Sequence, residues 1–72
     1  MRLKELDKYV ENLKEEKIAS RRGNVYTYKI ADKKIIREFT KFKSVFISYL
    51  KVKDSLFVVL HYRHKEVILK GI

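Results

Sequence analysis

The 72-residue chain has no cysteine, no proline, no tryptophan and only two glycines. Without cysteine, and with only two histidines, it can form neither a disulfide nor an internal Cys/His zinc site. We expect neither a metal nor a cofactor. The longest unbroken apolar run covers residues 56–60, whereas a membrane-spanning helix needs about 18 residues. We therefore expect a soluble, cytoplasmic protein with no membrane contact.

Acidic residues are scarce over most of the chain. Residues 1–20 hold five acidic and five basic side chains, but residues 21–72 hold four acidic and thirteen basic ones. The second segment thus carries the whole net charge of +9. This imbalance predicts that the first segment supports the fold and the second faces an anionic partner. A solvated, lysine-rich surface that serves only solubility is the alternative.

Two amino-acid absences bear on the source. Proline and glutamine are missing while lysine and glutamate are abundant, which is compatible with a hot-adapted organism. An AT-rich genome would produce a similar bias.

The first segment has the pattern of an amphipathic helix over residues 1–20. Apolar residues recur there at spacings of three and four, namely Leu3, Leu6, Val10 and Leu13. A stop signal follows, because arginines suit the negative end of a helix dipole and Gly23 can adopt the left-handed conformation of a helix cap.

After residue 24 the hydrophobic period shifts towards two. Segments 25–30, 34–40, 44–52, 55–62 and 65–70 are rich in β-branched and aromatic residues, and short polar links separate them. We predict an α+β fold, in which one N-terminal helix packs on a five-stranded antiparallel meander sheet. The chain is expected to be a single domain, residues 1–72, with the meander over residues 24–70.

Alternate links of a meander fall at the same end of the sheet. One end would then gather seven cationic or titratable residues, with Glu66 as the only nearby acid: Arg21, Arg22, Lys41, Lys43, Arg63, His64 and Lys65. The lysines expected at the other end are partly offset by Asp32 and Asp54. A one-sided cationic surface is typical of a protein that neutralises nucleic-acid phosphates.

Aromatic residues are interleaved with the basic ones. Tyr26 and Tyr28 lie on one face of the first predicted strand, where they could stack on single-stranded bases. A domain this small needs most of its aromatics inside, so we favour core or half-buried packing for this pair.

Segments 44–52 and 55–62 are apolar on both faces. One helix can cover only one face of a five-stranded sheet, so the other face would expose a large apolar patch. This predicts a homodimer in which two chains close the core.

The two histidines, His61 and His64, are three residues apart, so within a strand they would face opposite sides and could not share a metal. The sequence places no Ser or Cys nucleophile beside a plausible base. We therefore expect a binding protein and not an enzyme, with no catalytic residues.

The segment VFISYLKVKDSLFVVLHYRHKEV resembles the end of a RelE/ParE-type toxin. Its order is a strand, a short turn, a very apolar strand and a basic stretch ending in Glu-Val. The resemblance covers about the last 27 residues. It implies mRNA cleavage, with Arg63 stabilising phosphate charge and His64 or Lys65 acting in proton transfer or charge neutralisation. The chain departs from the family in opening with a helix and in having Ile68 where tyrosine is frequent.

The sequence favours a small nucleic-acid-binding protein of low sequence specificity, either a plasmid- or virus-encoded regulator or a chromatin-like factor. It contains no helix-turn-helix pattern, so contacts would come from loops or strands. The alternatives are a RelE-like mRNA-cleaving toxin or a degenerate relative of one, and an interaction module or inhibitor that docks on an acidic protein surface.

Overall fold

A computed structural model describes residues 2–72 as two helices and one five-stranded sheet. In chain order the elements are α1 (Leu3–Glu11), β1 (Glu15–Ala19), β2 (Val25–Ala31), α2 (Lys33–Phe39), β3 (Phe46–Val52), β4 (Ser55–Tyr62) and β5 (Lys65–Gly71). The strand order is β1-β2-β5-β4-β3, and β2 and β5 are parallel while the other neighbours are antiparallel. The predicted α+β class is confirmed, but the sheet is mixed and is not an antiparallel meander.

The first helix is shorter than predicted. Its end is fixed at Asn12, whose backbone N–H bonds to the Tyr9 carbonyl and whose side-chain Nδ2 donates to the Lys8 carbonyl at 3.0 Å. The following residues form β1, in which half-buried Glu16 and Ile18 alternate with exposed neighbours, and all five pair with β2. The prediction that the helix continues over residues 12–20 is therefore wrong. Met1, which the prediction also placed in the helix, lies outside the described residues.

The predicted strand over residues 34–40 is a helix, α2. Asp32 caps its start by accepting a hydrogen bond from the Lys34 backbone N–H at 3.2 Å. Ile35, Ile36 and Phe39 then follow at helical spacing, and all three contribute to the core. Neither helix of residues 2–72 is long and apolar enough to cross a membrane.

Helix α2 explains the parallel pair. It returns the chain from the end of β2 to the end where β2 begins, so β3 runs in the direction of β2. Two antiparallel hairpins then make β5 parallel to β2, with Lys29, Ile30 and Ala31 opposite Leu69, Lys70 and Gly71. In a meander, β2 would lead through a short turn into the strand beside it, and the two strands would be antiparallel. Here the strand beside β2 is β5, which is the last strand of the chain and runs parallel to it.

Each face of the sheet carries a core of its own. On the first face, the two helices bury Leu60 and Leu69 with Leu6, Val10 and Phe39. On the second face, the β1–β2 hairpin folds across the sheet and packs against the other end of it. That second core is formed by Tyr28, Val52 and Phe57, with half-buried Ile18, Tyr26, Ile30, Leu50 and Ile68 around it.

The hairpin covers much of the apolar surface for which a homodimer was expected, but Phe46 and Tyr49 of β3 stay exposed. Phe57 and Val59 point to the second face, yet they are only 1% and 5% exposed within one chain. Most apolar side chains of β4 are thus buried within the chain itself, although Leu56 is 62% exposed, and dimerisation stays a prediction.

Candidate nucleic-acid interface

The fold brings the loop between β1 and β2 next to the turn between β3 and β4. Together they line an open groove of about 490 Å³, here called the hairpin-tip groove, formed by Ser20, Arg21, Arg22, Asn24, Tyr26, Lys51, Val52, Lys53 and Asp54. The loop is held in shape by hydrogen bonds from Gly23 N to the Ser20 carbonyl and from Asn24 N to Ser20 Oγ. Gly23 has φ +89°, a conformation that glycine adopts without strain.

Positive charge dominates the hairpin-tip groove. Four exposed cations meet there, with Asp54 as the only acid in the lining: Arg21, Arg22, Lys51 and Lys53. Within residues 2–72, none of the four forms an ion pair at 4.0 Å or less. Like charges gathered in this way repel one another, so an anionic ligand at this position would be stabilising.

A second open groove, of about 430 Å³, lies at the turn between β4 and β5. This turn groove is lined by Ser44, Phe46 and residues 61–66. The turn consists of Arg63 and His64 only, since Tyr62 pairs with Lys65. Both turn residues have positive φ, 51° and 61°, as a type I′ turn requires. Asn and Gly are the residues that favour this turn, so Arg63 and His64 hold a strained backbone.

The cations of the turn groove are tied to α1. Asp7, which is 8% exposed, accepts a hydrogen bond from Tyr62 Oη at 2.8 Å and forms an ion pair with Lys65. Arg63 Nη1 lies 3.6 Å from its other carboxylate oxygen, and Lys65 Nζ is also 3.8 Å from Glu11. The positive charge predicted for this turn is therefore largely neutralised by the first helix.

The same contacts shift the pKa values of the two buried partners. Burial alone would raise the pKa of Asp7, but hydrogen bonds from Lys65 and Tyr62 and the charges of Lys65 and Arg63 outweigh it, and the pKa is lowered. Burial, followed by the hydrogen bond to Asp7, raises the pKa of Tyr62. Asp7 is thus an anion and Tyr62 a neutral donor at neutral pH.

On the second face, His61 is held by two neighbours. Its Nε2 lies 2.8 Å from Ser48 Oγ on β3, and its Nδ1 lies 3.5 Å from Glu66 Oε2 on β5. The fold thus places a hydroxyl beside an imidazole that is thirteen residues away in the chain. The expectation that no Ser stands beside a base was wrong. Because both ring nitrogens have partners, these contacts fix the orientation of the ring.

Of the remaining predicted site residues, Lys41 and Lys43 line neither groove, Tyr26 lies in the hairpin-tip groove and Tyr28 lies in the core. Lys41 pairs with Glu38 at 2.8 Å, a hydrogen bond that lowers the pKa of Glu38, while Lys43 is exposed. Tyr28 is 8% exposed, with its ring centroid 4.7 Å from that of Phe57, and Tyr26 is half-buried in the hairpin-tip groove. The positions of Tyr26 and Tyr28 agree with the core or half-buried packing that the sequence favours for this pair.

Three important residues were missed. Lys51 and Lys53 are among the lysines that the sequence analysis placed at the sheet end opposite Arg21, but both are exposed and line the same groove as Arg21. Asp7 entered the sequence analysis only as one of the five acids in the charge balance of residues 1–20. Its position one turn from Leu3 and Val10 placed it near the apolar stripe, which was a usable signal for a half-buried carboxylate.

Comparison with known proteins finds no relative for this chain: no family model matches it, and neither does any curated protein or solved structure. Among residues 2–72, no group of three or more His, Cys, Asp or Glu side chains could hold a metal ion.

Proposed function

We propose that the protein binds nucleic acid through its phosphates, and that the hairpin-tip groove is the principal site. The observation that carries this proposal is the convergence of Arg21 and Arg22, from the β1–β2 loop, with Lys51 and Lys53, from the β3–β4 hairpin, around one open groove. Each cation that neutralises a phosphate releases condensed counterions, which gives affinity without sequence information.

Charge balance favours this groove over the turn groove. Arg63 and Lys65 face Asp7, and Lys65 also faces Glu11. A phosphate would have to compete with these carboxylates for the same donors. In the hairpin-tip groove, four cations face the single carboxylate of Asp54. A phosphate there competes with water and one acid only.

Low sequence specificity follows from the kind of contact. Arginine and lysine side chains on loops fix the position of a nucleic acid by its phosphates, and sequence is read by contacts to the base edges. The proposed site thus suits a protein that coats or positions DNA or RNA, such as a chromatin-like factor or a small regulator.

A charge-matched pair of variants tests this site. Arg21→Ser/Arg22→Ser removes two charges from the groove, and Lys4→Ser/Lys8→Ser removes two from the exposed surface of α1. We expect the first pair to bind labelled single-stranded DNA, duplex DNA and RNA more weakly, with the slope of log affinity against log salt reduced by about 1.5. The second pair should bind nearly as the natural chain does.

Two results would contradict the proposal. Equal losses in both double variants would show that net charge and not the groove attracts the polyanion. Lack of retention of any nucleic acid by the natural chain at low salt would instead favour docking on an acidic protein surface, the third function considered from the sequence.

RNA cleavage is the second candidate function. It is favoured by the turn groove, where the His61 and His64 imidazoles and the Arg63 guanidinium line one open space beside a strained turn. An imidazole could accept the proton of a ribose 2′-OH as its oxygen attacks the adjacent phosphorus, and the guanidinium could stabilise the charge that develops. The P–O5′ bond then breaks, which gives a 2′,3′-cyclic phosphate and a 5′-hydroxyl that takes its proton from water or from the imidazolium. The test is incubation with an RNA strand and the matching DNA strand: cleavage of RNA alone, lost in Arg63→Ala, would support it, and intact RNA would exclude it.

A further inference from the structure

We infer that the natural ligand is single-stranded nucleic acid, and that it runs from the hairpin-tip groove along β3 to Phe46, where a base stacks. This inference rests on the proposed function and adds to it the class of ligand. The observation that supports it is an exposed aromatic ring, that of Phe46, which belongs to neither hydrophobic core. Phe46 is 70% exposed and lines the turn groove.

The register of β3 places Phe46 on the same face of the sheet as Val52. Phe46, Ser48, Leu50 and Val52 alternate along the strand, and the last two pack on the second-face core. Val52 lines the hairpin-tip groove, whereas Phe46 lies at the other end of the strand. At about 3.3 Å per residue, the two ends are roughly 20 Å apart, a distance that a few nucleotides can span.

Strand β3 is an edge of the sheet, so this path is open on its outer side. Between its ends it offers the exposed Ser48 hydroxyl and the half-buried side chain of Leu50. No carboxylate belongs to β3 itself, and Lys51 and Lys53 stand at its cationic end. A phosphate backbone can therefore follow the strand from the cations towards Phe46.

The surroundings of Phe46 suit a base. Its cross-strand partner is His61, whose ring is held by Ser48 and Glu66, and Arg63 lines the same groove. Aromatic rings on a sheet, next to cations, are the platforms on which proteins stack unpaired bases. In a duplex the base faces are covered by their neighbours, so a ring on a sheet surface cannot reach them.

An abasic strand separates stacking from phosphate contact. The natural chain is titrated with three labelled probes of about 12 units, namely a thymidine oligonucleotide, an abasic strand with the same phosphates, and a duplex. We expect the thymidine strand to bind about 5-fold or more tightly than the abasic strand, because each stacked base adds affinity. A uridine strand run in parallel distinguishes RNA from DNA.

Two leucine variants provide the matched comparison. Phe46 and Tyr49 are both on β3 and about equally exposed, 70% and 68%, but they lie on opposite faces of the sheet. We expect Phe46→Leu to lower affinity for the thymidine strand about 5-fold and to leave the abasic strand unchanged. Tyr49→Leu should change the affinity for neither strand. Thermal melts of both variants show whether they are folded.

The outcomes are distinct. If base-bearing and abasic strands bind equally and Phe46→Leu behaves as Tyr49→Leu does, stacking is excluded, while salt-dependent binding would still support the phosphate site. Tighter binding of the duplex would also overturn the inference. If Phe46→Leu changes the sedimentation mass of the protein and not its preference for bases, the ring serves contact with a second copy.

Discussion

Asp7 determines how much of the positive charge at the β4–β5 turn is available to a ligand. It is an acidic residue of a charge-balanced helix, yet it lies at the centre of a network that joins α1 to Tyr62, Arg63 and Lys65. Lys65 Nζ also lies 5.4 Å from the centroid of the Tyr62 ring, a cation–π contact. Lys65 is therefore best explained as a structural residue that fastens the first helix to the sheet.

Replacing Asp7 should cost stability. We expect Asp7→Asn to lower the free energy of unfolding by about 2 kcal/mol at neutral pH, because an amide cannot supply the charge that Lys65 and Arg63 face. Glu5→Gln, an exposed acid on the same helix, should change it by less than about 0.5 kcal/mol. Urea denaturation of both variants measures the difference, and equal values would contradict the network.

The same network predicts an acid dependence. Because the pKa of Asp7 is lowered in the folded state, its contribution is complete above the unfolded pKa of about 3.9 and is lost as pH falls through the folded value. The stability advantage of the natural chain over Asp7→Asn should therefore be constant near neutrality and shrink below about pH 4. An advantage that persists at lower pH would show that Asp7 acts by packing and not by charge.

Among the elements, the turn between β4 and β5 has the least favourable backbone. Both of its residues adopt positive φ without being glycine or asparagine, and each left-handed residue costs roughly 1 kcal/mol. Such strain persists only where the surrounding structure enforces it, and it is frequent at functional sites. Here the pairing of β4 with β5 enforces it over five residue pairs.

A glycine at the second turn position should relieve the strain. We expect His64→Gly to raise the free energy of unfolding by about 1 kcal/mol, since the exposed imidazole makes no contact that the core needs. His64→Ala removes the same ring, but alanine keeps a Cβ atom and so keeps the cost of a positive φ at this position. The stability of this variant should therefore stay close to that of the natural chain. Chemical denaturation compares the three proteins, and a gain in the alanine variant equal to that in the glycine variant would refute the strain.

Two elements show the limits of local pattern. Strands β4 and β5 were predicted almost to the residue because alternation and short polar links coincide there. Residues 34–40 were misassigned because isoleucine and phenylalanine favour strands, although Asp32 and the spacing of Ile35 and Phe39 also suited a helix. Residues 15–19 favour a helix locally, and only their pairing with β2 makes them a strand.

At the scale of the whole molecule, the bend of the β1–β2 hairpin decides where charge accumulates. In a flat sheet the loop with Arg21 and Arg22 would lie at the opposite end from Lys51 and Lys53. Packing of Tyr28 on Phe57 brings the hairpin across the second face and the two loops together. Sequence could supply the cationic residues, but their grouping depends on a tertiary contact that no local pattern contains.

The molecule measures 37 Å along its longest axis and about 20 Å across, and its two grooves differ in charge balance. One has four cations that form no ion pair within residues 2–72, and the other has cations held by helix α1. The single cationic end expected from the sequence is thus divided into one groove suited to phosphates and one that combines a strained turn with an exposed aromatic ring.

The most direct test is an NMR titration of isotopically labelled protein with a short thymidine oligonucleotide, following every backbone amide. Convergence of the two loops on one ligand predicts that amides of residues 20–24 and of residues 51–54 shift together at the same oligonucleotide concentration, and that added salt reverses both sets. Shifts confined to residues 61–66, or to one of the two loops, would contradict a phosphate site at the hairpin tip.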